Sequence, residues 1–179
     1  MAGSRNHVAQ ELPGVGRDGE KPIMKPAYQV ILAEDHVRFR GEIKKIINGI
    51  PGVEVTGEVG EGHELFELLE KSQPDLVIMD ISMPNLRAMK ATREIKSKYP
   101  EVKVIIMAMD NENEYLSHAI AAGADGIVLK QDSAMNLELA VQQIRRGKRY
   151  FPNLPEKQRF GVETFAPSFF DRLSFLSIF

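Results

Sequence analysis

The chain has 179 residues, 43% of them hydrophobic and 27% charged, with a formal net charge of −2 and no cysteine. That length holds one domain with a proper core and falls short of two, and so small a net charge gives no global bias toward nucleic acid or anionic membrane. The missing cysteines exclude disulfide frameworks, thiol nucleophiles and thiolate metal sites. Charges cut every apolar run well short of the ~20 residues of a membrane span, and the N-terminus lacks the apolar centre of a signal peptide. The expected location is the cytoplasm, with no membrane partner.

Residues 1–27 are rich in Gly, Pro and charge and show no apolar period, which predicts a flexible arm. From Tyr28 the pattern turns regular. A buried strand is expected over 28–34, then an amphipathic helix over 36–50 with Val37, Ile43, Ile46 and Ile47 on one face. A second strand follows over 53–59 and a helix over 62–72. The third strand, 75–80, is fully apolar but for its acid ends, and a turn at Pro84 leads into a helix over 85–99. The remaining units are a strand over 102–109 with a helix over 111–123, and a strand over 126–130 with a helix over 133–149. Five such units with continuous apolar strands predict an α/β fold, a doubly wound parallel sheet with helices on both faces.

After residue 150 the composition changes. Seven of the nine phenylalanines lie in 151–179, broken up by Pro152, Pro155 and Pro167. The predicted division is therefore an arm over 1–27, one domain over 28–150 and a Phe-rich tail over 151–179. The tail has two readings: a surface that docks on a partner or on the domain itself, or an altered remnant of a lost output domain.

In open sheets of this type the reactive crevice lies at the carboxyl ends of the strands. Three acids stand there: Glu34 and Asp35 after the first strand and Asp80 at the end of the third. If those strands are neighbours, ~4.8 Å apart, the acids converge, and carboxylates so close call for a cation. A hard divalent ion with oxygen ligands, Mg²⁺, suits them, and Lys130 at the end of the fifth strand adds a fixed positive charge. Such a site suits phosphoryl transfer, with Asp80 as nucleophile and Glu34 and Asp35 as metal ligands. Taken singly the residues have ordinary structural uses. Asp35 can cap a helix, Asp80 can cap a turn, and Lys130 can be a solvated strand end. Their coincidence at one sheet edge favours chemistry. His36 is read as a rim residue, and Met79, Met83, Met107 and Met109 as packing rather than a soft-metal site.

The stretches VILAEDHVRFR, DLVIMDISMP, KATREIK, GADGIVLK and AVQQIRRGKRY resemble the receiver domain of two-component response regulators, in order and over about two-thirds of the chain. The likeness is greatest to the branch that precedes a helix-turn-helix (LuxR/NarL-type) transcriptional domain. It implies a flavodoxin-like sheet of strand order 2-1-3-4-5. It places Glu34 and Asp35 on the acidic pair, Asp80 on the phosphoacceptor and Lys130 on the family lysine. Ser82 matches the position whose backbone carbonyl ligates Mg²⁺. The implied donor is a sensor histidine kinase, a phosphotransfer protein or a small acyl phosphate. The implied chemistry is self-catalysed phosphorylation and dephosphorylation rather than that of an enzyme, read out by a downstream protein target.

Three positions depart from the family pattern. Ala108 stands where the fourth strand usually ends in Thr or Ser, Ile127 where the fifth usually carries an aromatic, and Ala88 where the loop after the acceptor usually has glycine. Phosphorylation is expected to survive on Lys130 and metal, the stronger contacts, with coupling to the output face weakened or rerouted. The alternative reading is a phosphorylation-independent binding module of pseudo-receiver type. An aspartyl-phosphate hydrolase is disfavoured, because Ser82 stands where such enzymes carry a second aspartate. The stretch after Tyr150 is too short for a further domain of about 50 residues or more, and the basic run 145–149 suits a helix end, so direct DNA binding is not expected.

Overall fold

The computed structural model describes residues 27–109 and 113–151. Their elements run β1 (Tyr28–Ala33), α1 (Val37–Asn48), β2 (Val53–Val59), α2 (Gly62–Lys71), β3 (Leu76–Asp80), α3 (Ala88–Lys98), β4 (Lys103–Ala108), α4 (Asn113–Ala121), β5 (Gly126–Leu129) and α5 (Ser133–Arg145). The five strands form one sheet in the order β2-β1-β3-β4-β5, and every pair in it is parallel. The predicted architecture and strand order are those observed. The expectations for the arm up to residue 26 and for the tail from Pro152 lie outside the described residues.

Alternation along the strands splits the core in two, since successive side chains point to opposite faces. Ile31, Val77, Met79, Val104, Ile106 and Ile127 pack against Leu65 and Leu69 of α2, Ile95 of α3 and Leu116 of α4. Val30, Leu32, Ile78, Ile105, Met107 and Val128 pack against Ile43 and Ile47 of α1 and Leu137 and Val141 of α5. Each central strand is buried on both faces, and no charge enters until the strand ends. Within β3 all of Leu76–Asp80 is buried.

Several predicted boundaries shift, each for a local reason. In α1, Ile43 and Ile47 are buried but Val37 is 72% exposed. It lies six residues before Ile43, about 120° around the helix. The helix after β3 starts at Ala88 rather than at 85, because Asn85 takes φ 58° and cannot be helical. Ala88 is therefore the buried first residue of α3. The last helix stops at Arg145. Gly147, at φ 77°, donates to the Ile144 carbonyl, and Lys148 N–H donates to that of Gln143, an arrangement that closes a helix and needs the left-handed residue.

Order extends past that turn. Tyr150 pairs with Gly126 as a parallel bridge, its N–H donating to the Asp125 carbonyl and its carbonyl accepting from Ile127 N–H, both at 2.9 Å. A Cβ on Gly126 would lie 3.0 Å from the Tyr150 carbonyl oxygen, so this close approach favours glycine. Phe151, which the sequence assigns to the tail, is buried within the same apolar cluster as Ala108, Leu116 and Ile127.

Candidate functional site

The loop after β1 and the ends of β3 and β5 open on the same edge of the sheet. Because β1 and β3 are hydrogen-bonded neighbours, with Ala33 opposite Met79, Glu34 and Asp80 come together. Both are 1% exposed, whereas the Asp35 side chain is 29% exposed at the rim. Lys130, expected as the last residue of the fifth strand, instead opens the short 3₁₀ turn Lys130–Asp132, one residue after β5 ends at Leu129. Its Nζ lies 2.8 Å from Glu34 Oε2 and 2.9 Å from Asp80 Oδ2. Among the described residues neither oxygen has a partner of good hydrogen-bond geometry; at these distances the contacts to Lys130 are ion pairs whatever their angles.

The electrostatics follow from that crowding. Burial on its own lowers the Lys130 pKa, but the hydrogen bonds and charges of Asp80 and Glu34 outweigh it and hold the ammonium above its ordinary range. Two buried carboxylates thus share one cation. Asp35 and His36 complete the edge: His36 Nδ1 is 3.1 Å from Asp35 Oδ1 and 3.2 Å from Glu34 Oε1, and its side chain is 73% exposed. Ligand atoms of Glu34, Asp35, His36 and Asp80 all lie within 4.8 Å of one another. Carboxylate oxygens gathered around a common point, with Lys130 as their one lysine partner among the described residues, are a donor set that fits a hard divalent cation.

The structural uses weighed for these residues are only partly taken up. The N-cap of α1 is His36, without a side-chain cap bond, so Asp35 does not cap that helix. Asp80 does brace its own turn, because Ser82 N–H donates to Asp80 Oδ1 at 3.1 Å. Ser82 itself is exposed two residues past the acid. Ala108 ends β4 at 1% exposure and Ile127 is buried in β5, paired with Ile106, so neither reaches the carboxylates with a polar group. Met79, Met83 and Met107 are core residues as expected, but Met109 is 59% exposed. No helix among the described residues is long and apolar enough to cross a membrane.

Two functional neighbours escaped the sequence reading. Arg40 donates from Nη1 to the Glu34 carbonyl at 2.5 Å, and its Nε lies 3.6 Å from Glu58 Oε2. Phe39 presents its ring 4.9 Å from Lys130 Nζ. The signal for Phe39 was present, since it precedes Ile43 and Ile47 at intervals of four and so shares their helix face. Arg40 gave none, because its partner is a backbone carbonyl.

A doubly wound five-stranded sheet with buried acids at the ends of β1 and β3 and a lysine after β5 defines a class of signalling domain. The chain belongs to the response regulator receiver domain family, whose description its residues 30–142 match. It is 35% identical over 122 residues to the transcriptional regulatory protein DegU of Brevibacillus brevis, an alignment covering 68% of this chain and 52% of that protein. To the oxygen regulatory protein NreC of Staphylococcus haemolyticus it is 33% identical over 123 residues, 68% of this chain and 57% of the other. Among solved structures, the isolated receiver domain of RcsB from Salmonella enterica serovar Typhimurium, in the presence of phosphomimetic BeF₃⁻, superposes with a TM-score of 0.66. That match has 30% identity and covers 71% of this chain and 94% of that one. A LuxR-family response regulator from Aurantimonas sp. gives a TM-score of 0.68 at 28% identity, covering 76% and 97%. The chain spans a little over half the length of the curated relatives DegU and NreC.

Proposed function

We propose that residues 28–150 act as an aspartate-phosphorylated switch in a two-component phosphorelay, with Asp80 as the acceptor. One observation carries this reading: Glu34 and Asp80 are buried side by side at adjacent strand ends with Lys130 as their shared counterion. A structural ion pair needs one carboxylate per lysine. A second buried acid here is a cost that folding alone does not require.

In the proposed reaction one Asp80 carboxylate oxygen attacks the donor phosphorus. The new O–P bond forms as the donor's N–P bond (a phosphohistidine) or O–P bond (an acyl phosphate) breaks, and the electron pair leaves with the donor group. Lys130 turns from Asp80 to the phosphoryl oxygens and holds their charge. Glu34, Asp35, Asp80 and the backbone carbonyl of Ser82 would hold Mg²⁺. When bound, Mg²⁺ supplies further neutralisation of the phosphoryl group. The buried walls of β1 and β3 keep the acids dry, which strengthens each of these interactions. The proposed donor is a cytoplasmic sensor histidine kinase or phosphotransfer protein, and the output is a protein target. The names of DegU and NreC make them regulators; only their receiver part is matched, so DNA binding is not assigned to this chain.

Ala108 leaves the phosphoryl group without a strand-end hydroxyl, a loss of about 1 kcal/mol for a neutral hydrogen bond, while the charged contacts of Lys130 persist. Coupling to the output face is accordingly weaker or takes another route. The constitutive pseudo-receiver alternative finds no support in the receiver relatives. The test is intact-protein mass after incubation with acetyl phosphate and Mg²⁺. One phosphoryl increment in the wild type and none in Asp80→Asn is the expected result. A folded wild type with no increment overturns the proposal.

A further inference from the structure

We propose that Phe39 is the positioning residue of Lys130, a role that rests on the phosphoacceptor reading of the same site. The Lys130 ammonium meets two unlike surfaces. These are Glu34 Oε2 and Asp80 Oδ2, at 2.8 and 2.9 Å, and the Phe39 ring, its centroid 4.9 Å from Nζ. An aromatic face carries negative charge density and attracts a cation within about 6 Å, the more so when the pair is partly desolvated. The Lys130 side chain is only 10% exposed, so this contact is partly desolvated.

The ring is in turn fixed. Phe39 is half-buried and packs against the apolar cluster that includes Ile43, Ile47, Met107 and Val128. It lines a cleft of about 470 Å³ together with His36, Arg38, Glu42, Met109 and Lys130. Phe39 and Lys130 therefore border the same cleft, with the ring carried on α1.

The consequence appears when the carboxylates are engaged elsewhere. Once Asp80 carries a phosphoryl group and Glu34 holds a cation, both contacts that now hold Nζ are given up or shared. The ring face is a contact the reaction does not consume. It keeps Nζ at the α1 side of the site, from which it meets the phosphoryl oxygens. Leucine at position 39 would fill much of the volume and offer no such face; tyrosine would offer it.

The experiment compares wild type, Phe39→Leu and Phe39→Tyr by two readouts. The first is the NMR shift of the Lys130 ε-methylene in the protein without donor, which a ring current displaces. The second is the rate of Asp80 phosphorylation against acetyl phosphate and Mg²⁺ concentration. Expected is a displaced ε-methylene in wild type and Phe39→Tyr but not in Phe39→Leu. The maximal rate should fall roughly threefold to tenfold in Phe39→Leu only, the size expected for loss of one partly desolvated cation–π contact. The half-saturating Mg²⁺ concentration should stay within about twofold, because Phe39 touches the lysine rather than the carboxylates. Equal rates in all three proteins, or an equal loss in Phe39→Tyr and Phe39→Leu, overturns the inference and leaves the acceptor assignment standing. No labelling of wild type overturns the acceptor assignment and the role of Phe39 with it, even where the ring-current shift persists.

Discussion

Arg40 is bound to the main chain of Glu34: its guanidinium donates to the Glu34 carbonyl at 2.5 Å while facing Glu58 of β2 at 3.6 Å. Lys44 meets the same Glu58 carboxylate at 2.5 Å. The loop that delivers Glu34 and Asp35 is thus tied by a side chain of α1 to the end of β2. The acidic pair is held from behind, by groups that do not themselves enter the site.

Replacing Arg40 by alanine releases that tie. A hydrogen bond from a charged donor contributes about 1.5–3 kcal/mol, and Arg40 is 19% exposed, so the lower half of that range is expected. Urea unfolding followed by circular dichroism should show this loss, and calorimetric Mg²⁺ titration should show affinity falling several-fold as the loop loosens. Arg40→Lys keeps a charge near Glu58 and should recover part of the stability. Unchanged Mg²⁺ affinity in Arg40→Ala would show that the loop holds its geometry without the arginine.

Lys130→Ala leaves Glu34 and Asp80 buried without their counterion. Breaking a buried pair by removing one partner costs about 3–5 kcal/mol. That cost should appear in EDTA and shrink when Mg²⁺ is added, because a ligand that binds only the folded state stabilises it in proportion to the logarithm of its concentration. With the lysine no longer competing for the carboxylates, Mg²⁺ should bind Lys130→Ala more tightly, so its stability should begin to rise at lower Mg²⁺ and its gap to wild type should narrow. Parallel curves would argue that the cation does not occupy the carboxylate cluster.

Phe151→Ala removes a ring that is 1% exposed. Large-to-small changes of this kind cost about 3–5 kcal/mol through lost burial and the cavity left behind. A loss near zero in urea unfolding would mean that the Tyr150–Phe151 segment adds nothing to the domain, and that its boundary belongs before it.

Tyr28 supplies a pH dependence. Burial pushes its hydroxyl far above the ordinary range, the charges of Asp75 and Asp125 push the same way, and Arg145 offsets them only in part. The folded state therefore opposes ionisation that the unfolded chain undergoes near pH 10. The resulting stability is fully present below that pH and is lost as pH rises from there toward the folded value. The denaturation midpoint should fall more steeply between about pH 9 and 11 in wild type than in Tyr28→Phe. Lysines titrate alike in both proteins, so the difference isolates Tyr28; equal slopes would sink the assignment.

The order of the elements, the parallel sheet and the meeting of Glu34, Asp35, Asp80 and Lys130 were all legible in the sequence. Apolar runs that end in acids are a one-dimensional signal, and a parallel sheet puts every strand end at the same edge. Where one residue's backbone overrides the pattern, the sequence misled: Asn85 in the left-handed region delays α3, and Gly147 ends α5 early. The sheet's outer edge was also hidden, because a hydrogen bond between Tyr150 and Ile127 has no periodicity to betray it. Which groups hold the site in place was decided by tertiary structure alone. Arg40 acts on a backbone carbonyl only six positions away, which carries no side-chain signal, and Phe39 acts on an ammonium 91 positions further along, a contact that exists only once the packing of α1 brings the two face to face.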